Sequence, residues 1–264
     1  MFWRLFLVDM ERAVFSVGFL LGVGVTFAAL LYGNAADLRH TTSMVYLLNY
    51  VVKYNNSFSM FILASTFPYA SSYCVDKNSD MIHFFVARCG ERKYALSKWV
   101  SCALSGGLSV LLGAALFLVF LSLHGMNTFP SAVEIQDQYV QQSQTFGDLL
   151  PGPAPWLFFV CMLAVLFLQG MFWSSLGLCV SGFLPSQYVV YSAPFISCFA
   201  FLQLAKYLQL PPWLNIVTLS FARNNLGGTA RTLLITFCVF FVLSGLCGAV
   251  FIRRVIKSRR VLNV

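Results

Sequence analysis

The sequence predicts an all-α, polytopic membrane protein: six transmembrane helices behind a short N-terminal interfacial helix, with both termini on the inner side. Three observations carry this. The chain is 59% apolar and 10% charged, with a mean hydropathy of +0.77, whereas soluble domains carry about 25% charged residues. Uncharged runs recur at lengths that cross a bilayer, whose core of about 30 Å takes roughly 20 helical residues. Basic residues gather in the segments that would face inward.

The elements follow in order within one transmembrane domain, 1–264. Residues 1–12 mix Phe2, Trp3, Leu5, Phe6 and Val8 with Arg4, Asp9, Glu11 and Arg12, which suits a helix lying in the interface with its aromatic side down. The first span, about 14–32, occupies the uncharged run between Arg12 and Asp37. It exceeds the roughly 7–15 residues of a signal-peptide core and reads as an uncleaved anchor. The second span is about 58–75; residues 41–52 are also apolar and fit either an extracellular cap or an early start of that span. The third is about 99–123. Residues 124–155 form an extracellular loop with Glu134, Asp137 and Asp148 and no lysine or arginine.

From Leu149 to Ala205 there are 57 residues without a charge, too many for one helix. The sequence GFLPSQ at 182–187 breaks the run at Pro185. That gives a fourth span at about 156–183 and a fifth at about 188–205, bent at Pro194. Residues 206–231 hold Pro211, Pro212, Trp213, Gly227 and Gly228. This stretch fits a hairpin dipping into the outer leaflet, or a plain interfacial loop. The sixth span, 232–252, lies between Arg231 and Arg253, and the tail RRVIKSRR at 253–260 is a stop-transfer signal. With this topology twelve of the 17 basic residues face inward and five outward, in agreement with the positive-inside rule. The net charge of +8 is therefore topological, and no nucleic-acid partner is expected.

Absences narrow the chemistry. The chain has no G-x-x-x-x-G-K-[ST] phosphate loop and no H-E-x-x-H, and His40, His83 and His124 stand in separate loops. Hence no catalytic, cofactor-binding or metal-ligating set is expected in this chain. All nine acids map to loops or the interface, whereas ion-coupled transporters place a carboxylate within the membrane. Energy for moving cargo would enter from another chain. The eight cysteines form no CxxC pair and avoid 124–155, so they read as packing residues. Ser101, Ser105, Ser109 and Gly113, the pair Gly18 and Gly22, and the pair Ser244 and Gly248 form small-residue stripes that suit close helix packing within one bundle. Ser59, Ser65, Thr66, Asn224 and Asn225 are candidates to line a path; serines and threonines near Pro68 also suit satisfaction of backbone groups.

The remaining signal is the loop 76–98. It holds eight of the 26 charged residues: Asp76, Lys77, Asp80, Arg88, Glu91, Arg92, Lys93 and Lys98. Its basic excess places it in the cytoplasm, and its apolar MIHFFVA stretch favours docking to a partner over a purely solvated loop.

The interfacial helix, six spans, basic inner loop and apolar hairpin before the last span together resemble the membrane (permease) subunits of type-2 ABC exporters. SSYCVDKNSDMIHFFVARCGERKYALSKW, residues 71–99, carries the closest match. That family often has an acid after the second span, a basic helical segment, and Tyr-x-x-x-Lys leading into the third. Here these are Asp76, residues 88–93, and Tyr94 with Lys98. Where the family commonly has a glycine and then a proline, this chain has Asp80 and Arg88.

The resemblance implies that the loop is a coupling helix docked on a separate ABC ATPase, which would hold the ATP and Mg. Asp76, Asp80, Arg88, Glu91, Arg92 and Lys93 would then make charge-assisted contacts, and Ile82, Phe84, Phe85 and Tyr94 would anchor it. One chain would be a non-catalytic half-transporter of the plasma (cell) membrane, completed by a second copy or a related permease among membrane lipid. The rival expectation is a stand-alone polytopic sensor or self-protection protein that binds cargo without ATP-driven transport.

Overall fold

The computed structural model describes residues 2–36, 38, 43–53, 58–129, 145–220 and 226–262. Regular structure among them is helical, apart from one bridge between Ser43 and Asn127. The helices are α1 (Phe2–Val14), α2 (Val17–Gly33), α3 (Met44–Lys53), α4 (Phe58–Thr66), α5 (Ser72–Asn78), α6 (Ile82–Cys89), α7 (Glu91–Leu123), α8 (Leu157–Ser181), α9 (Gln187–Tyr207), α10 (Ile216–Ser220) and α11 (Thr229–Leu262). Four of them (α7, α8, α9 and α11) are long and apolar enough to cross a membrane, and α1 with α2, bent by 52°, makes a fifth if the pair is one span. The chain is an integral membrane protein by these helices and its composition.

Helices α7 and α8 form the centre. Their apolar windows are 50% and 67% buried, against 22% for α9 and α11. The sequence permits this because small residues line the crossing. A Cβ on Gly106 would overlap the Ser174 side chain on α8, and one on Gly170 would lie 2.8 Å from the Gly106 carbonyl oxygen. Ser174 Oγ donates across the crossing to the Cys102 carbonyl at 3.0 Å. The predicted stripes are thus used within the chain: Gly22 faces the Ala64 backbone, Gly248 faces Trp99, and Ser244 bonds Ser175 at 2.8 Å.

Two apolar clusters stack along the bundle. The larger holds Leu30, Phe117, Phe158, Trp173 and Phe240, and is capped by α3, whose Val45, Leu47, Leu48, Val51 and Val52 are buried. Residues 44–53 therefore form a separate cap, with the Met44 N–H bonded to the Asn127 carbonyl at 3.0 Å. The smaller cluster, at the α1 end, joins Ala13, Tyr69, Tyr73, Ile82, Tyr94, Leu178 and Phe251.

Three helix limits differ from the expected span limits. The segment 58–75 is not one helix; α4 ends at Thr66 and α5 begins at Ser72. Pro68 has no N–H to return to the Ala64 carbonyl, and Ser109 Oγ approaches that carbonyl at 3.5 Å instead. The third helix begins at Glu91, eight residues ahead of the expected Trp99, because Lys98 is neutralised inside the protein and does not mark a boundary. The last helix runs on through the basic tail to Leu262. By contrast α8 and α9 fall within two residues of expectation, and Pro194 lies inside a continuous α9. Of 206–231, the described part holds turns, α10 with Val217 and Leu219 buried, and two glycines at positive φ.

Candidate functional site

The site begins with a lysine that the sequence places one residue before Trp99. Tyr94, Ser97 and Lys98 recur at helical spacing, so all three project from one face of α7. That face meets α1 at Asp9, the turn 67–71 at Tyr69, and α5 at Asp76.

Lys98 Nζ lies 2.8 Å from Asp76 Oδ2, 3.3 Å from Asp9 Oδ1 and 2.8 Å from Tyr69 Oη. Its three N–H donors are thereby matched to three acceptors. Tyr69 donates in turn to Asp9 Oδ1 at 2.6 Å, Tyr94 donates to Asp76 Oδ2 at 2.7 Å, and Ser97 Oγ donates to Asp9 Oδ2. The ammonium also sits 4.7 Å from the Tyr69 ring centroid and 5.7 Å from that of Tyr94. Lys98 is only 2% exposed, Asp9 2% and Asp76 7%. Such a group adds little net stability over apolar packing, but removing one member leaves a buried charge uncompensated. Its role is to fix geometry. Four separate pieces of chain are held to one point.

The corner between α1 and α2 is built against the same point. Ser16 caps α2 by accepting the Phe19 N–H at 3.0 Å, and its hydroxyl donates to the Ala13 carbonyl at 2.8 Å, 3.3 Å from that of Pro68. On α1, Asp9 and Ala13 turn inward while Trp3, Leu7 and Val8 remain exposed. Helix α1 thus leaves Trp3, Leu7 and Val8 exposed beside Arg4, Glu11 and Arg12, and turns one carboxylate into the protein.

From this root projects an elbow. Asp80, at φ 55°, ends the turn after α5, and Gly90, at φ 79°, separates α6 from α7. Phe84 is 67% exposed, and Asp80, Arg88, Arg92 and Lys93 are exposed as well. Glu91 and Phe85 are half-buried. Phe85 fastens the elbow to its root: it stacks on Tyr94 at 6.1 Å, and the Arg12 guanidinium sits 5.4 Å from its ring centroid.

The candidate residues therefore divide. Asp80, Phe84, Arg88, Arg92 and Lys93 are exposed along the elbow, and Glu91 is half-buried. Asp76, Ile82 and Tyr94, expected as contacts to a partner, are buried instead, because Lys98 and the smaller apolar cluster claim them. Ser65 and Thr66 do not face an open path; they are buried, and their hydroxyls donate to the carbonyls of Ile62 and Leu63 at 2.7 and 2.8 Å. Ser59 is half-buried, and Asn224 and Asn225 lie outside the described residues.

Asp9, Tyr69 and Ser97 were not singled out by sequence reasoning. The available signal was a carboxylate flanked by apolar residues on α1 (LFLVDM) and a lysine inside an apolar run. Comparison with protein-family models, with curated proteins and with solved structures yields no match, so a functional assignment rests on the residues themselves.

Proposed function

We propose that the chain is the permease subunit of a type-2 ABC exporter, a non-catalytic half-transporter of the cell membrane that docks a separate ATPase on residues 79–93. The observation that carries this reading is an exposed basic elbow on a buried, fully paired root. A loop whose charges only set orientation has no need for its base to be fixed by a buried lysine, two aspartates and two tyrosines. On this reading the broken segment α4–α5 is the second of six crossings, and both termini are cytoplasmic, in keeping with the twelve-to-five distribution of basic residues.

The mechanism follows from the connections. A partner pressing on Phe84, Arg88, Arg92 and Lys93 would displace α6. Phe85 would carry that displacement to Arg12 on α1 and to Tyr94 on α7. Because Lys98 ties Asp9 to Asp76, α1, α5 and α7 would move as one piece. Small residues at the α7–α8 crossing then set the axis against which that piece turns.

A photo-crosslinking amino acid tests the docking. With p-benzoylphenylalanine at position 84 in the native host, the expected adduct is an ATP-binding-cassette ATPase. The same group at Leu20, exposed on α2, should give none. Failure of position 84 to capture an ATPase, or equal capture from both positions, would favour the stand-alone sensor.

A further inference from the structure

We propose that the cleft between the α1–α2 corner and the turn 67–71 binds the phosphodiester headgroup of an anionic membrane lipid, with Arg12 as its main ligand. The cleft has a volume of about 240 Å³ and is lined by Arg12, Ser16, Tyr69, Ser72, Asp76 and Lys98, with Pro68 and Val75 as apolar wall. This inference stands apart from the exporter reading, since it uses only the depth and chemistry of the cleft.

Depth comes from the corner. Arg12 lies in the last turn of α1, just before the chain bends by 52° into the apolar α2. Phe15 and Val17 at the bend are 84% and 73% exposed, as lipid-facing side chains are. A basic residue at the junction of an interfacial helix and an apolar helix lies at headgroup level.

Charge selects the ligand. Lys98 has its three N–H donors matched within the cluster. Arg12 has no carboxylate within 4 Å among the described residues; its guanidinium lies 5.4 Å from the Phe85 ring centroid. Lys98 is held by Asp76 on the wall and by Asp9 behind it, so Arg12 is the lining cation left to meet an anion. A singly charged phosphodiester matches that one guanidinium and takes its planar fork in paired hydrogen bonds. Ser72 Oγ, on the cleft wall, has no hydrogen-bond partner. Free phosphate shares the charge but gains nothing from Pro68, Val75 and the exposed Phe15 and Val17, where acyl chains would lie.

Native mass spectrometry of the full chain in detergent tests this, with phosphatidylglycerol, phosphatidylcholine and inorganic phosphate as separate probes. Wild type should retain phosphatidylglycerol in preference to phosphatidylcholine, and millimolar phosphate should not displace it. R12Q should lose about tenfold in apparent affinity, the scale of one charge-assisted contact. R12K, which keeps the charge and loses the fork, should fall between, and R4Q, exposed on the same helix, should match wild type. Equal retention by R12Q and wild type, equal loss in R4Q and R12Q, or displacement by phosphate would overturn the proposal.

Discussion

Lys98→Met should be the most damaging single substitution in the chain. It removes the only cation within reach of both Asp9 and Asp76 in the cluster and leaves two carboxylates buried against the hydroxyls of Tyr69, Tyr94 and Ser97. Breaking a buried ion pair from one side costs about 3–5 kcal/mol, a large part of a typical folding margin of about 5–15 kcal/mol. The expected result is a chain that loses its monodisperse peak in detergent at a temperature where wild type keeps it. The triple substitution D9N/D76N/K98M should recover most of that loss, because no charge is then stranded and the amides still accept from the tyrosines. Lys93→Met, on the exposed elbow, should have little effect. If K98M behaved like K93M, the cluster would not be holding the four segments together.

Gly106→Leu should be nearly as severe, for a steric reason. A Cβ at position 106 overlaps Ser174 and comes within 2.6 Å of the Ser65 carbonyl oxygen, so any side chain must separate α7 from both α4 and α8. Overpacking of this kind costs about 3 kcal/mol, and although Ser174 Oγ can rotate away, its Cβ and the Ser65 carbonyl cannot yield without moving a helix. Gly245→Leu, where a Cβ meets nothing within 4 Å, is the matched control and should leave thermal stability close to wild type. Equal stability of the two variants would mean that the α7–α8 crossing is looser than the geometry shows.

How far the sequence could be read depended on what bounded each element. Helices α8 and α9 were legible nearly to the residue, since Pro155, the GFLPSQ break and Lys206 punctuate an otherwise uncharged run. The first eight residues of α7 were not legible as its start, because in sequence Lys98 reads as the edge of an apolar run, whereas in the fold it is buried within the helix's length. Pro68 signalled a disturbance in the second segment but not a complete break, which also needed Ser109 and Gly22 on neighbouring helices to cover the opened backbone. The exposed part of the elbow was legible from its charge density. Its root was not: Tyr69 and Ser97 reach Asp9 across 60 and 88 residues of chain, and no local spacing encodes such a partnership. Asp76 and Tyr94 accordingly looked like surface contacts.

The proposed dependence on a separate ATPase, docked through the elbow, is tested most directly by ATP hydrolysis in the purified material. Full-length chain isolated from its native membranes should bring ATPase activity with it, and R88E/R92E/K93E should reduce that activity about tenfold at unchanged chain yield, as reversal of a charged interface does. ATP hydrolysis that survives the charge reversal undiminished, or wild-type chain that arrives without any, would contradict the account.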